Sequence, residues 1–174
     1  KTFCAVNLAL SLASERDTDV LLVDADVAKP EILSTLGIEG GSGLMDALQN
    51  PSMDVEQLII RTNIPKLSVL AAGRQANNDT EMLASARTKH VLDGLANKHP
   101  SLDSAPALAA SPASVLAHRV GRILMVVRAD RTTESELRDA LALVDGCPNV
   151  SLLLNGSSYF GGNHSFGSYY GHGE

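Results

Sequence analysis

Four short runs of consecutive apolar residues are the clearest pattern along the chain. They are Val20–Val23, Leu67–Leu70, Ile123–Val127 and Val150–Leu154. Apolar runs of this length without alternation are typical of parallel strands that are covered on both faces. Polar or glycine-containing residues follow each run, so the pattern also predicts where each strand ends.

Stretches with helical composition alternate with these strands. Residues 3–16 are apolar on nearly all sides up to Ala13, which predicts a helix buried on more than one face. Asp79-Thr80-Glu81 and Thr132-Thr133-Glu134 each supply capping and acidic residues for a helix start. The other predicted helices cover residues 43–49, 55–60, 82–98, 111–118 and about 133–144. This alternation predicts an α/β fold, a mostly parallel sheet with helices on both faces.

Charged and amide side chains stand directly after the predicted strands. Asp24 and Asp26 end the first, Arg128 ends the third, and Asn155 ends the fourth. Ligands in such sheets bind beyond the carboxyl ends of the strands. Two carboxylates two residues apart repel each other unless they share a cation, although a pair of turn or capping aspartates explains the same spacing. Asp103 is a third acid at a plausible strand end.

Lys1-Thr2 at the head of the first helix matches the last two positions of the phosphate-binding motif G-x-x-x-x-G-K-[ST]. In that motif the Lys neutralises phosphate charge and the hydroxyl ligates Mg²⁺. Two residues alone carry little weight, and an arbitrary chain start is the simpler explanation of them. Combined with Asp24, Asp26 and Asp103, however, they form a constellation suited to a magnesium nucleotide.

Composition limits the classes of partner. The chain has 174 residues, with 14 Lys+Arg against 20 Asp+Glu and a net charge of -6. An acidic balance argues against nucleic acid as the main partner, because phosphate binding needs clustered Lys and Arg. No apolar run approaches 18 residues and no signal-peptide pattern is present, so we expect no membrane span. Cys4 and Cys147 match no metal spacing and predict reduced thiols in a cytosolic protein.

Aromatic residues are segregated at one end. The chain has no Trp, and five of its six aromatics fall in the last 16 residues. Residues 157–174 are rich in Gly and Ser and contain no Lys or Arg, which predicts a flexible tail. The predicted organisation is therefore one domain over residues 1–156, followed by a tyrosine-rich tail over residues 157–174.

The segment from Leu21 to Pro30, LLVDADVAKP, resembles the modified second Walker motif of the bacterial protein-tyrosine kinases, the autokinases of exopolysaccharide and capsule export. The resemblance extends to about residue 156, and the tail resembles the tyrosine cluster of that family. The other similar segments are Gly43-Leu44 with Asp46 and Leu48, Leu67–Gly73, Asn78–Ser85, Asp103–Pro106, Val126–Ala129 and Leu154–Gly156.

The resemblance implies a P-loop NTPase-like fold of the deviant-Walker type, with ATP and Mg²⁺ as cofactors. It implies that Lys1 contacts the phosphates and assists catalysis, and that Thr2 ligates Mg²⁺. Asp24 is implied as base or orienter of the tyrosine hydroxyl and as part of the metal site. Asp26 assists at the metal, and Asp103 holds Mg²⁺ through water.

The resemblance further implies nucleotide contacts from Arg128 and Asn155. The implied phosphoacceptors are Tyr159, Tyr169 and Tyr170, modified in trans within a ring-like homo-oligomer. Such a protein regulates exopolysaccharide polymerisation and export. It acts in the cytoplasm, at the inner face of the plasma membrane, through a membrane-embedded chain-length regulator or a fused membrane segment.

Two points depart from the family pattern, and two other functions stay open. The Walker glycines do not precede Lys1, and one apolar residue stands before Asp103 where a strand needs four to eight. We therefore expect further residues before Lys1 and near Ser101. The alternatives are a partitioning or site-selecting ATPase of the ParA/MinD type, and a catalytically inert interaction module of the same fold.

Overall fold

A computed structural model describes residues 1–98, 107–110, 116–117 and 120–157. The helices are α1 (Thr2–Ala13), α2 (Ile32–Leu36), α3 (Leu44–Gln49), α4 (Asp79–Ala84), α5 (Ala86–Lys98) and α6 (Glu134–Ala142), with a 3₁₀ turn at Val55–Leu58. The strands are β1 (Val20–Ala25), β2 (Ile59–Arg61), β3 (Leu67–Leu70), β4 (Ala107–Ala110), β5 (Ile123–Arg128) and β6 (Val150–Asn155). All four predicted strands are confirmed, as β1, β3, β5 and β6.

Strand β1 lies inside a sheet with the order β2-β3-β1-β4. It runs parallel to β3, with Val20 opposite Leu67, and parallel to β4, with Leu22 opposite Ala107. β2 is antiparallel to β3. The carboxyl ends of β1, β3 and β4 therefore point to the same edge of the sheet, where the sequence predicts a ligand.

Helices cover both faces of this sheet, as the unbroken apolar run in β1 predicts. Leu21, Val23 and Ala25 pack in a core with buried side chains of α3, α4 and α5. Val20 and Leu22 face the other way and pack with α1 and α2. Because successive side chains of a strand alternate between faces, a strand that is buried throughout requires helices on both sides.

The α/β fold with a mostly parallel sheet is confirmed, and within the described residues β5 and β6 form a parallel sheet of their own. β1 is paired on both edges, with β3 and β4, so it is an interior strand of the four-stranded sheet. Leucine side chains of the second sheet stay partly exposed: Leu124 is 41% exposed, Leu152 53% and Leu154 60%.

Several helices differ from their predicted bounds. The helix predicted over 82–98 is two helices, because Ser85 between them has an extended backbone with ψ of 156°. The predicted helix over 55–60 is the 3₁₀ turn followed by β2. α6 begins as predicted, since the Thr133 hydroxyl accepts a hydrogen bond from Glu136 N and the Glu136 carboxylate accepts one from Thr133 N. Of the helix predicted over 111–118, Leu116 and Ala117 are described, and both are helical.

Some predicted features lie outside the described residues. They are Asp103, Tyr159, Tyr169, Tyr170 and the tail beyond residue 157. Across the described ranges, no helix combines the length and apolar character that crossing a membrane requires.

Candidate functional site

A short ion pair joins the start of α1 to the end of β1. Lys1 Nζ lies 2.7 Å from Asp26 Oδ2, and the Asp26 side chain is 16% exposed. Lys1 is the residue that precedes α1, and its carbonyl accepts a hydrogen bond from Ala5 N at 3.1 Å. The ammonium group therefore belongs to a helix start, where the partial positive charge of the helix already favours anions.

Asp24 is buried beside this pair, with 1% of its surface exposed. Its Oδ1 accepts a hydrogen bond from Asp26 N at 3.0 Å, and its Oδ2 accepts one from Ile32 N at 3.2 Å. The Asp24 carboxylate thus hydrogen-bonds the backbone at both ends of the loop between β1 and α2. These contacts agree with the simpler interpretation of Asp24 as a turn aspartate. Each of its oxygens keeps a further lone pair.

The pKa of Asp24 is raised above its ordinary value. Burial is the largest cause, and the negative charge of Asp26 adds to it. The N–H groups of Asp26 and Ile32 and the charge of Lys1 act in the opposite direction but do not cancel it. A carboxylate with a raised pKa is a better proton acceptor, which suits a general base.

Asp26 links the lysine to the turn that follows β1. While Oδ2 pairs with Lys1, Oδ1 accepts a hydrogen bond from Lys29 N at 3.3 Å. Val27 and Ala28 are therefore enclosed in a turn that Asp26 closes. In the structure, the cation beside Asp24 and Asp26 is the ammonium group of Lys1. Its positive charge offsets the repulsion between the two carboxylates that their spacing in the sequence predicts.

The residues at this edge fit a nucleotide phosphate, and they fit magnesium in part. Lys1 and the first N–H groups of α1 suit phosphate oxygens, and Thr2, half-buried at the first position of α1, offers a hydroxyl. Within the described ranges, no cluster of three or more His, Cys, Asp and Glu could hold a metal ion. Magnesium bound to nucleotides needs only one or two protein carboxylates, so Thr2, Asp24 and Asp26 are sufficient candidates.

Arg128 and Asn155 lie opposite each other at the carboxyl ends of β5 and β6. Ala129 N donates to the Asn155 carbonyl at 2.8 Å, and Arg128 N donates to Thr132 Oγ1 at 3.1 Å. They belong to a different sheet from Asp24, so their contact with nucleotide stays a prediction. The metal role of Asp103 also stays a prediction. The described strand in that region, β4, comes after Asp103 in the chain.

A second buried carboxylate, Asp46 in α3, was not among the predicted site residues. It is 4% exposed, and its Oδ2 accepts hydrogen bonds from Gly43 N at 2.9 Å and Arg74 N at 3.1 Å. Its Oδ1 accepts one from Arg74 Nε at 2.8 Å. Asp46 thereby fixes the start of the loop that follows β3. Gly43, Asp46 and Gly73 all belong to segments that resemble the family. Their presence in those segments is the sequence signal for this contact.

Replacing Asp46 with asparagine is expected to lower the free energy of unfolding by about 2 kcal/mol at neutral pH, because the amide nitrogen that replaces one carboxylate oxygen cannot accept the hydrogen bonds made to that oxygen, and the charge that pairs with Arg74 is lost. Burial alone would raise the pKa of Asp46, but the Arg74 guanidinium and the N–H groups of Gly43 and Arg74 hold it below its ordinary value. The contribution of the carboxylate is therefore present at neutral pH and is lost as pH falls through its lowered pKa. Urea unfolding of both proteins between pH 7 and pH 3 measures the difference.

The control for this prediction is Asp139→Asn, which changes an exposed carboxylate on α6. We expect the Asp139 variant to match the parent protein at both ends of the pH range. The gap between Asp46→Asn and the parent should shrink as the solution becomes acidic. A gap of constant size from pH 7 to pH 3 would contradict the role assigned to the carboxylate charge.

The sheet and its edge define a class of protein. A parallel α/β sheet, a lysine at the start of the first helix and two aspartates at the end of the adjacent strand are the arrangement of P-loop nucleotide-binding domains. No protein-family model matches the chain.

Individual proteins are similar to it. The tyrosine-protein kinase ptk of Acinetobacter johnsonii is 31% identical over 79% of this chain and 19% of its own length. The tyrosine-protein kinase YwqD of Bacillus subtilis is 28% identical over 98% of this chain and 72% of its own length. The solved kinase domain of the Escherichia coli tyrosine kinase ETK is 27% identical, with a TM-score of 0.76 over 94% of this chain and 68% of that one.

The chain belongs to the bacterial protein-tyrosine kinase family. It spans 23% or less of the length of three curated relatives that it matches. Solved structures of lower sequence identity share the fold: an McdA protein of Cyanthece is 16% identical, with a TM-score of 0.66.

Proposed function

We propose that this chain is the catalytic domain of an ATP-dependent protein-tyrosine kinase. The observation that carries the proposal is the ion pair of Lys1 with Asp26 at the start of α1, beside the buried carboxylate of Asp24. A lysine at a helix start binds phosphate oxygens, and a carboxylate of raised pKa next to it can take the proton of a hydroxyl group. Kinship with proteins named tyrosine-protein kinases supports the same assignment.

Each residue of the site has a definite task in this proposal. Magnesium-bound ATP supplies the phosphoryl group and draws charge away from it. Lys1 binds phosphate oxygens, and Thr2 and Asp26 are available as ligands for the metal. Asp24 would orient the tyrosine hydroxyl and take its proton as the oxygen bonds to the γ-phosphorus, while the bond from that phosphorus to the bridging oxygen breaks and ADP leaves. Because such transfer depends mainly on positioning, the tight hydrogen bonding of Asp24 and Asp26 is part of the catalytic apparatus.

We further propose that the acceptor is the tyrosine cluster of a second copy within a ring-like homo-oligomer. A segment of 18 residues spans at most ~60 Å when extended and ~23 Å as a Gly-rich coil, which is enough to reach a neighbouring site. Each phosphate adds about -1.5 to -2 charge, so three of them add roughly -4.5 to -6. That charge on an acidic chain should open the ring. In this proposal the cycle regulates exopolysaccharide export, at the cytoplasmic face of the plasma membrane and with a membrane-embedded chain-length regulator.

Incubation of the purified chain with labelled ATP and Mg²⁺, followed by peptide mapping, tests the proposal. We expect label on Tyr159, Tyr169 or Tyr170, and its loss in the variant with all three changed to Phe. Free phosphate without labelled tyrosine would indicate an ATPase switch instead. Absence of both nucleotide binding and label would indicate an inert interaction module. Mixing an Asp24→Asn chain with a triple Phe chain tests transfer between copies, because neither can label itself but the second can modify the first.

A further inference from the structure

Arg74, in the segment that follows β3, has a guanidinium group that the site described above does not use. Its side chain is 82% exposed, although it pairs with the buried carboxylate of Asp46. Across the described part of the chain, Arg74 donates hydrogen bonds through its backbone N and through Nε, and both go to Asp46. A guanidinium group carries five N–H donors, so the four on the two Nη atoms are available to another acceptor.

Asp46 holds this arginine in one position. The carboxylate is 4% exposed and also accepts a hydrogen bond from Gly43 N at 2.9 Å, at the start of α3. Gly73 permits the close approach, because its φ is 83° and a Cβ at this position would overlap Asp46 Oδ2. Separating a buried charge from its partner is costly, so the pair is fixed with its negative end inside and its positive end in solvent.

The guanidinium group of Arg74 belongs to the sheet edge where the phosphate site is proposed. β1 and β3 are parallel neighbours, so the segments that follow them begin side by side at this edge. Val27, the residue after Asp26, and Gln75, the residue after Arg74, line the same cavity. Arg74 therefore adjoins that cavity from the β3 side, and Asp26, with its partner Lys1, adjoins it from the β1 side.

The charges at this edge favour a second cation. Lys1 stands beside two carboxylates, Asp24 and Asp26, so these three groups together are net negative when both acids are ionised. A triphosphate brought to this edge is repelled unless further positive charge lies nearby. Mg²⁺ supplies part of that charge when it is bound with the nucleotide. A guanidinium group suits the rest, because its planar fork can donate two parallel hydrogen bonds to phosphate oxygens.

We propose that Arg74 binds oxygens of the phosphate chain of the nucleotide, and that Asp46 is the residue that positions it. This inference rests on the proposed function, because it adds a contact to the same nucleotide site. An acidic side chain of the acceptor protein would offer an arginine similar oxygen atoms. The phosphate chain is favoured because Lys1 directs it to this edge and because it carries the larger negative charge.

Binding of labelled ATP with Mg²⁺ to the full chain, measured by equilibrium dialysis, tests the contact. Arg74→Gln should raise the Kd for ATP about tenfold, the equivalent of ~1.4 kcal/mol. Inorganic triphosphate, added as a competitor, should lose affinity by the same factor, because the contact is with phosphate oxygens. An unchanged Kd for ATP, or a loss that inorganic triphosphate does not share, would overturn the assignment.

The matched control is Arg138→Gln. The Arg138 side chain is 76% exposed and pairs with Glu134 on α6, so it resembles Arg74 in exposure and in having a carboxylate partner. This variant should keep the parent affinity for ATP and for inorganic triphosphate. An equal loss of affinity in both arginine variants would indicate a general effect of net charge and would overturn the specific contact.

Two further variants separate binding from folding. Arg74→Gln leaves the Asp46 charge buried without its partner, whereas Asp46→Asn/Arg74→Gln removes both charges and should bind ATP as weakly as Arg74→Gln. Asp46→Asn alone should raise the Kd for ATP about threefold, because Arg74 keeps its charge but loses its fixed position. It should have no further effect once Arg74 is Gln. An equal effect of Asp46→Asn in both backgrounds would overturn the positioning role.

A tyrosine-labelling assay distinguishes failure of this inference from failure of the proposed function. The acceptor is a synthetic peptide of residues 164–173. A chain that binds ATP, loses affinity in Arg74→Gln and labels no tyrosine would support the phosphate contact and overturn the kinase. A chain that labels the peptide, with an unchanged Kd for ATP but a raised KM for the peptide in Arg74→Gln, would place Arg74 on the acceptor. That result would overturn this inference and leave the kinase standing.

Discussion

Replacing Lys1 with methionine is expected to lower the rate of phosphoryl transfer to tyrosine by about 100- to 1,000-fold, the usual effect of removing one preorganised charge-stabilising group. The ammonium group of Lys1 is the cation at the start of α1, and Asp26 holds it 2.7 Å from its own carboxylate. Methionine keeps the length of the side chain and removes the charge. Its side chain cannot neutralise the phosphate oxygens, so we expect the Kd for ATP to rise as well.

The matched control is Lys29→Met. Lys29 lies three residues after Asp26 and pairs with Glu31 at 2.8 Å, but its side chain is 79% exposed. An exposed ion pair contributes little to stability, so the Lys29 variant should keep both its stability and its rate. Labelling rates, ATP titration and urea unfolding of the three proteins distinguish lost chemistry from lost folding. Equal loss of activity in both variants would indicate a general charge effect and contradict the specific role of Lys1.

The sequence predicts this site well because its signals are local. The apolar run of β1 ends directly at Asp24 and Asp26, and the first helix begins directly after Lys1, so two short patterns identify three of the groups that meet. The pairing of Lys1 with Asp26 also follows from the fold class, in which the first helix packs against the strand whose end carries the acids. Local pattern and topology agree here, and the structure brings Lys1 and Asp26 into contact.

Features that depend on distant residues were harder to predict. β4 consists of Ala107–Ala110, and this short alanine-rich segment lacks the β-branched and aromatic side chains that are typical of a strand. The division into two sheets depends on which strands pair with one another, and no local pattern encodes strand pairing. Asp46 is hydrogen-bonded to Arg74, 28 positions away. Its role in fixing the loop after β3 is visible only when both segments are in place.

Replacing Gly43 with alanine is expected to lower the free energy of unfolding by about 3 kcal/mol or more, at the upper end of the cost of overpacking. A Cβ at Gly43 would overlap the carbonyl oxygen of Ala71 and lie 2.6 Å from Gly73 N. These are backbone atoms, and they cannot turn aside as the end of a flexible side chain can. Leu44 N and Met45 N donate to the carbonyls of Ala71 and Ala72 at 2.8 and 2.9 Å, so separating the two segments would also break these bonds.

The control for this substitution is Gly94→Ala, the same chemical change within α5. A Cβ at Gly94 would meet nothing within 4 Å, and alanine is the better helix former, so this variant should gain about 0.5–1 kcal/mol. The two variants therefore move in opposite directions in urea unfolding, although each adds one methyl group. A Gly43→Ala protein as stable as the Gly94→Ala protein would show that α3 and the segment after β3 do not approach as closely as described.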